Sequence, residues 1–223
     1  MTDSRVEAKR AAALRAVQQV QSGMVVGLGT GSTARFAVEE IGRRLASGQL
    51  RDVVGIPTSR ATRDLAAASG VPVSTLDHHS AVDLTIDGAD EVDPDGNLIK
   101  GHGGALLWEK IVAGASHKLV IVVDPSKLVP RLGATRALPV EVVRFGWPLH
   151  EAVMRDLGGD PHLRVDERGD PYRTDEGHYI IDCSFSGGIA DAARVHHVLK
   201  SRAGVIETGL FLGFKPEVIV GGG

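Results

Sequence analysis

The stretch DLTIDGADEVDPDGNLIKGHGGALLWEK, residues 83–110, combines the patterns of a strand, an acidic turn, a glycine loop and a helix. Its apolar start predicts a buried strand over residues 81–86 that breaks at the motif DGAD. The following DPDGN is rich in turn-forming residues, so we expect the chain to reverse before Leu98 and Ile99 return to the core. The loop KGHGG then leads into an apolar helix that carries Glu109. Because the N–H groups of such a loop can face a phosphate or a developing oxyanion, the stretch suits proton transfer at a polarised carbonyl.

The beginning of the chain shows a second strand, glycine loop and helix. Residues 4–21 have the spacing of an amphipathic helix, and the apolar residues 24–28 predict the first strand of a parallel sheet. The loop GTGST that follows has Ser32 in place of the third glycine of a dinucleotide fingerprint, and the chain has no GK[ST] motif of a nucleotide P-loop. The loop therefore suits a single phosphate monoester. The alternative is a tight turn whose helix is capped by Ser32 or Thr33.

Polar residues follow three of the predicted strands. The glycine loop begins at Gly29, the acidic motif at Asp87, and the motif DPSK at Asp124, after the apolar residues 118–123. Ligands of open parallel sheets bind at the carboxyl ends of the strands, so we expect these three positions to converge on one site. Two further strands are predicted, over residues 52–56 and 71–76.

The pattern changes after residue 130. Strands and helices alternate there in a β-α-β-β-α order, which predicts a small α+β domain with an antiparallel sheet. The strand-like residues 205–212 and 216–220 are expected to return to the first domain. The predicted fold class is α/β, with a parallel-sheet main domain formed by 1–130 and 206–223 and a small domain formed by 131–205.

The composition of the chain argues against several classes of binding partner. The 223 residues are 43% hydrophobic with a net charge of −3 and no long basic run, which argues against nucleic acid and membrane partners. A single cysteine, Cys183, and the lack of a leader or a long apolar span favour the reducing cytoplasm. The adjacent pair His78-His79 lacks matching partner ligands, and the acidic turn lacks the ligand spacing of a calcium loop, so no metal site is predicted.

Four motifs together resemble type A ribose-5-phosphate isomerase: GTGST at 29–33, DGAD at 87–90, KGHGGALLWEK at 100–110 and DPSK at 124–127. The resemblance covers nearly the whole chain in the same order. Two positions depart from the family pattern, since His102 replaces a glycine and Trp108 stands where relatives often have Arg. The resemblance implies a Rossmann-like main domain with a ferredoxin-like insertion, a homodimer, a sugar phosphate substrate and no cofactor.

Aldose–ketose isomerisation moves a proton between adjacent carbons, so it needs one base near both carbons and donors for their oxygens. Glu109 is the candidate base, although the pattern by itself also fits an exposed helix carboxylate paired with Lys or Arg. The resemblance assigns the base role to Glu109. It implies interconversion of D-ribose 5-phosphate and D-ribulose 5-phosphate through a cis-enediolate, in the non-oxidative pentose phosphate pathway.

The remaining site residues follow from the motifs and the resemblance. Asp87 and Asp90 are expected to hold sugar hydroxyls and to help open the furanose ring, and Lys100 and Lys127 to polarise sugar oxygens or hold the phosphate. Lys9 is expected to reach the phosphate from the first helix. The predicted catalytic residues are Glu109, Asp87, Asp90 and Lys100, and the substrate-binding residues are Thr30, Gly31, Ser32, Thr33, Asp87, Gly88, Ala89, Asp90, Lys100, Gly101, His102, Gly103, Lys127 and Lys9.

Two other functions fit a related fold, since fold similarity alone does not define function. One is a sugar-phosphate sensor of the kind found in transcriptional regulators, but no helix-turn-helix region precedes residue 4. The other is a deaminase or lactonase acting on phosphosugars, against which the joint presence of DGAD and KGHGG argues.

Overall fold

The computed structural model describes residues 3–222. These residues form two compact units. The first comprises residues up to Ala89, Trp108–Lys127 and the residues from Phe214 onward, and the second comprises Asp90–Leu107 and Leu128–Gly213.

The helices and strands of the described residues are numbered in chain order. The helices are α1 Asp3–Val17, α2 Ala34–Ala46, α3 Arg60–Ala68, α4 Leu106–Gly114, α5 Leu149–Asp156 and α6 Ala192–Lys200, with a 3-10 turn at Pro125–Lys127. The strands are β1 Val25–Leu28, β2 Val54–Pro57, β3 Leu84–Asp87, β4 Glu91–Val92, β5 Leu98–Ile99, β6 Leu119–Val123, β7 Leu138–Val142, β8 Gly159–Leu163, β9 Tyr179–Phe185, β10 Val205–Thr208, β11 Leu210–Phe211 and β12 Glu217–Val220.

The first unit is built around a 5-stranded parallel sheet with strand order β12-β6-β3-β1-β2. Its strands are short and almost continuously apolar, as expected where helices cover both faces of a parallel sheet. This architecture confirms the α/β, Rossmann-like prediction. The three strands predicted to end in polar motifs, β1, β3 and β6, are neighbours in the centre of the sheet.

Helices α1, α2 and α3 pack on one face of this sheet and α4 on the other. Val26 and Leu28 of β1 belong to the cluster that contains the apolar residues of α1 and α2. The intervening Gly27 faces the other way, where an added Cβ would lie 2.8 Å from Val112 of α4. Val112 packs there with Ile56 and Val82. The absence of a side chain at Gly27 therefore lets the helix that carries Glu109 lie directly on the sheet.

The second unit contains a 4-stranded antiparallel sheet with strand order β10-β7-β9-β8. Read along the chain, its elements run β7-α5-β8-β9-α6-β10, which is the β-α-β-β-α-β order of a ferredoxin-like fold. Leu138, Met154, Ile181 and Cys183 are fully buried in its core. Burial raises the pKa of the Cys183 thiol to about 12, so this cysteine acts as a small apolar residue. A 3-stranded sheet, β11-β5-β4, completes the unit and buries Leu98 and Ile99 as expected.

Two predicted strands differ in the structure. Residues 71–76 make only an isolated bridge between Val73 and Gly55, because Pro72 has no N–H with which to continue a ladder. The segment predicted over 205–212 forms two strands in different sheets, separated at Gly209. An added Cβ at Gly209 would lie 2.3 Å from the Lys100 carbonyl, which shows how closely the chain turns there.

The predicted domain division at residues 130/131 and 205/206 stays a prediction. The compact units assign Asp90–Leu107 and residues 206–213 to the second unit. Strand β12 alone carries the end of the chain back into the parallel sheet.

Candidate active site

The first glycine loop and Asp87 meet at the carboxyl ends of β1 and β3. Asp87 is almost completely buried, and its Oδ1 accepts hydrogen bonds from the Thr30 N–H (3.1 Å) and from the Gly88 N–H (2.7 Å). A Cβ on Gly29 would lie 2.2 Å from Asp87 Oδ1 and 2.5 Å from Asp87 Cα. The loop therefore contacts the strand so closely that only glycine fits at position 29. The Thr30 N–H, one of the loop donors expected to face a phosphate, donates to Asp87 instead.

A buried group of hydroxyls fixes the side chain of Thr30. Its Oγ1 lies 2.8 Å from Thr58 Oγ1, 2.8 Å from Ser59 Oγ and 3.0 Å from Thr62 Oγ1. Ser59 also caps α3, accepting a hydrogen bond from the Thr62 N–H. Nothing in the local pattern around Thr58 and Ser59 marks their contacts with Thr30, which lies 28 and 29 residues away.

Ser32 and Thr33 are positioned differently from a conventional cap. Thr33 stands at the start of α2 without a side-chain capping hydrogen bond, and Ser32 Oγ accepts a 2.9 Å hydrogen bond from Lys9 Nζ. Within residues 3–222, no protein acceptor is found for the N–H groups of Gly31, Ser32 or Thr33. The loop thus presents N–H groups and a mostly buried lysine at the N-terminus of α2, the arrangement that favours an anion.

The Asp124 carboxylate interacts electrostatically with Lys9 and Lys127. Its carboxylate is buried, and Oδ1 accepts hydrogen bonds from the N–H and the hydroxyl of Ser126. Burial raises the pKa of Asp124, but the Ser126 hydrogen bonds and the charges of Lys9 and Lys127 outweigh it and hold the pKa below its usual value. The carboxylate is therefore ionised and acts electrostatically on both lysines. The motif DPSK signalled this residue, although only its lysine was assigned a role.

Glu109 lies in the first turn of α4 and is only 5% exposed. This burial excludes the alternative of a solvated helix carboxylate, because such a residue is exposed by definition. The carboxylate group therefore lies away from bulk water at the start of α4, a setting that suits a positioned general base.

The second glycine loop belongs to the second unit. The His102 N–H donates a 3.0 Å hydrogen bond to Asp90 Oδ2, and His102 Nε2 lies 3.0 Å from the carbonyl oxygen of Ala137. A carbonyl can only accept, so Nε2 carries the proton in this contact. The His102 side chain is thus anchored to Ala137, and the backbone of the loop is held by Asp90.

Lys100 precedes this loop and is buried. Its Nζ lies 5.6 Å from the centroid of the Phe211 ring, in a cation–π contact, and its N–H donates to the Gly209 carbonyl. Burial of a lysine is unusual and agrees with a role other than solubility.

Neither a metal cluster nor a membrane span is found in the described chain. Residues 3–222 contain no grouping of three or more His, Cys, Asp or Glu side chains suited to a metal ion. No helix among them combines the length and the apolar character needed to cross a bilayer.

The chain is similar to a set of known isomerases. Residues 54–223 match the family model described as ribose 5-phosphate isomerase A (phosphoriboisomerase A). The chain is 50% identical to ribose-5-phosphate isomerase A of Roseiflexus castenholzii, over 96% of this chain and 91% of that protein. It is 48% identical to probable ribose-5-phosphate isomerase 2 of Arabidopsis thaliana, over 97% of this chain and 83% of that protein.

A solved structure gives the same result. It is a D-ribose-5-phosphate isomerase in complex with phospho-erythronic acid, 38% identical to this chain, with a TM-score of 0.93 over 96% of this chain and 94% of the other. Sequence and fold agree along almost the whole chain, and we conclude that this protein is an isomerase that belongs to the ribose 5-phosphate isomerase A family.

Proposed function

We propose that the protein interconverts D-ribose 5-phosphate and D-ribulose 5-phosphate through a cis-enediolate, with Glu109 as the general base. The observation that carries the reaction is the family membership along almost the whole chain. The observation that supports Glu109 in its role is its burial in the first turn of α4. In this proposal the carboxylate removes the proton from C2 of the open-chain aldose and returns it to C1.

The residues of the second unit are proposed to act on the sugar oxygens. Negative charge develops on the oxygens at C1 and C2 in the enediolate, and Lys100 can stabilise it because a buried cation interacts strongly with charge in a water-poor environment. Asp90 is proposed to hold sugar hydroxyls, as is Asp87 in the first unit, and both are proposed to help open the furanose ring. Gly88 and Ala89 connect the two aspartates.

The phosphate is proposed to bind at the first glycine loop. Gly31, Ser32 and Thr33 provide N–H groups at the start of α2, while Lys9 and Lys127 provide positive charge. The solved relative with phospho-erythronic acid, a phosphorylated sugar acid, shows that an isomerase of this fold takes up such a ligand.

Lys9→Met is expected to raise the KM for ribose 5-phosphate by roughly tenfold or more, since a hydrogen bond to a charged group contributes about 1.5–3 kcal/mol. The same variant should weaken competitive inhibition by inorganic phosphate to a similar extent. Arg10→Met, on the exposed side of the same helix, is the matched control and should leave both constants unchanged. An unchanged phosphate inhibition constant in Lys9→Met would remove Lys9 from the phosphate site.

The reaction is tested by incubating the wild-type protein, treated with EDTA, with ribose 5-phosphate in D₂O. Transfer through a carboxylate that exchanges its proton with solvent is expected to leave deuterium at C1 of ribulose 5-phosphate. Direct hydride transfer between the carbons would leave no label and would overturn the enediolate. Loss of turnover after EDTA would overturn the absence of a cofactor. Activity on a phosphogluconolactone or an amino sugar phosphate instead would favour the lactonase or deaminase alternative.

The homodimer, the cytoplasmic location and the absence of a nucleic acid partner stay predictions. The same holds for the place of the reaction in the non-oxidative pentose phosphate pathway.

A further inference from the structure

Arg164, which follows β8 in the second unit, makes contacts that connect it to the second glycine loop. Its Nη1 donates hydrogen bonds to two consecutive carbonyls, that of Gly101 at 3.0 Å and that of His102 at 3.1 Å. The other edge of the guanidinium donates to Asp182 of β9, from Nε to Oδ2 at 2.8 Å and from Nη2 to Oδ1 at 2.6 Å. The Arg164 side chain is only 12% exposed. A planar guanidinium held bidentately has one orientation, so its remaining N–H groups point in a defined direction.

The neighbourhood of Arg164 restricts it further. The guanidinium lies 5.7 Å from the centroid of the Tyr172 ring, and the Tyr172 N–H donates to the Arg164 carbonyl at 2.9 Å. A Cβ added to Gly104 would lie 2.1 Å from the Tyr172 hydroxyl oxygen, so the tyrosine packs directly against this glycine. Arg164 and Tyr172 therefore contact the loop at residues 101, 102 and 104, and Asp182 holds the Arg164 side chain in place.

The two carbonyl contacts decide where the N–H groups of the loop point. In a trans peptide the C=O of one residue and the N–H of the next lie in one plane and point in opposite directions. With the Gly101 carbonyl on Arg164, the His102 N–H must face away, and it donates to Asp90 Oδ2 at 3.0 Å. With the His102 carbonyl also on Arg164, the Gly103 N–H faces away from the arginine as well. Among the residues that the structure describes, no acceptor is found for the Gly103 N–H.

We infer that Arg164, held by Asp182, is a positioning residue that turns the Gly103 N–H toward the substrate, as a donor to a sugar oxygen on the side of the loop where Asp90 lies. This inference rests on the proposed isomerase function. Arg164 itself touches loop carbonyls and acts through the peptide units that it orients. Without the guanidinium the two carbonyls lose their donor, and the peptide unit between His102 and Gly103 is free to rotate.

The test compares Arg164→Lys, Arg164→Met and Asp182→Asn with the wild type, using Arg155→Met as the matched control. Arg155 also pairs with a carboxylate in this unit, Glu151 at 2.8 Å, but it is exposed and belongs to α5. We expect kcat for ribose 5-phosphate to fall by about 10- to 100-fold in both Arg164 variants, because a displaced donor no longer meets the developing charge. Lysine should not restore the rate, since a single ammonium cannot replace the planar fork. Asp182→Asn should give a smaller fall in kcat, and Arg155→Met none.

Inorganic phosphate provides the readout that separates positioning from general loss of structure. Its competitive inhibition constant should stay unchanged in the Arg164 variants, because the phosphate is assigned to the loop of residues 29–33 in the first unit. Addition of methylguanidinium to a further variant, Arg164→Ala, should recover part of kcat, whereas methylammonium should not.

Other results would contradict either the positioning role of Arg164 or the proposed function. A fall in melting temperature with unchanged kcat per folded molecule would overturn the positioning role. A parallel loss of kcat and of phosphate inhibition would also overturn it, since the effect would then be general. If the wild-type protein itself did not convert ribose 5-phosphate, the proposed function would fail, and that result is distinguishable because it precedes any comparison of variants.

Discussion

Glu109→Gln is expected to lower kcat for ribose 5-phosphate by roughly 10² to 10⁴-fold, the usual contribution of a positioned general base. Glutamine has nearly the same shape as glutamate and fits the buried place in α4, but its amide cannot accept the proton from C2. Because the proposed phosphate contacts lie elsewhere, in the loop of residues 29–33 and at Lys127, binding of the sugar phosphate should persist. The measurement is steady-state turnover together with calorimetric titration of ribose 5-phosphate into the variant.

Glu39→Gln is the matched control for this change. Glu39 is also a helix glutamate, it is paired with Arg35 at 2.6 Å, and its side chain is 39% exposed. Its replacement should leave turnover and binding unchanged, since exposed ion pairs contribute little. Turnover that survived in Glu109→Gln would show that another group moves the proton. Binding without turnover in the wild type would instead indicate a sensor.

Gly29→Ala is expected to destabilise the protein by about 3 kcal/mol and to remove most of its activity. The added methyl group would lie 2.2 Å from Asp87 Oδ1 and 2.5 Å from Asp87 Cα, and the second of these atoms belongs to the backbone of a central strand. The loop cannot retreat easily, because the Gly29 N–H is itself bonded to the Ile86 carbonyl at 2.9 Å. Relief of the clash must therefore shift Asp87, and with it the hydrogen bond from Thr30. Chemical denaturation and turnover measure the two effects.

Gly114→Ala provides the comparison for this substitution. Gly114 ends α4, and an added Cβ there would meet no atom within 4 Å. Alanine should stabilise the protein slightly, by up to about 1 kcal/mol, because glycine loses more backbone freedom than alanine on entering a helix. If Gly29→Ala were as stable and as active as Gly114→Ala, the close approach of the first glycine loop to Asp87 would be wrong.

The order of elements was largely predictable from the sequence because the apolar runs are short, strong and separated by glycine, proline and aspartate. The carboxyl ends of β1, β3 and β6, at Leu28, Asp87 and Val123, were predicted within one residue, although β3 begins three residues later than predicted. Where prediction failed, a single residue overrode the pattern. Pro72 removed a donor from a strand-like run, and the close turn at Gly209 divided another run between two sheets.

The candidate site was predictable only where a motif signals it. Asp87, Lys100, Glu109 and Lys127 stand in motifs that resemble a known family, and their role as a site stays a prediction until variants are measured. Lys9 was expected to reach the phosphate, although no local pattern marks its contact with Ser32, which joins residues 23 positions apart. Burial of Glu109 likewise depends on the packing of α4 on the sheet, which Gly27 permits.

The sequence by itself determined the α/β class, the succession of strand, glycine loop and helix, and the family, because these depend on local periodicity, turn chemistry and short motifs. Only the tertiary structure decided which donors and acceptors meet. Arg164 illustrates the difference, since its two partners in the glycine loop lie 62 and 63 residues away, and Asp182 lies 18 residues away on a neighbouring strand. A guanidinium in a loop has no periodicity that marks it, and its orientation arises only when strand pairing places a carboxylate and two carbonyls around it.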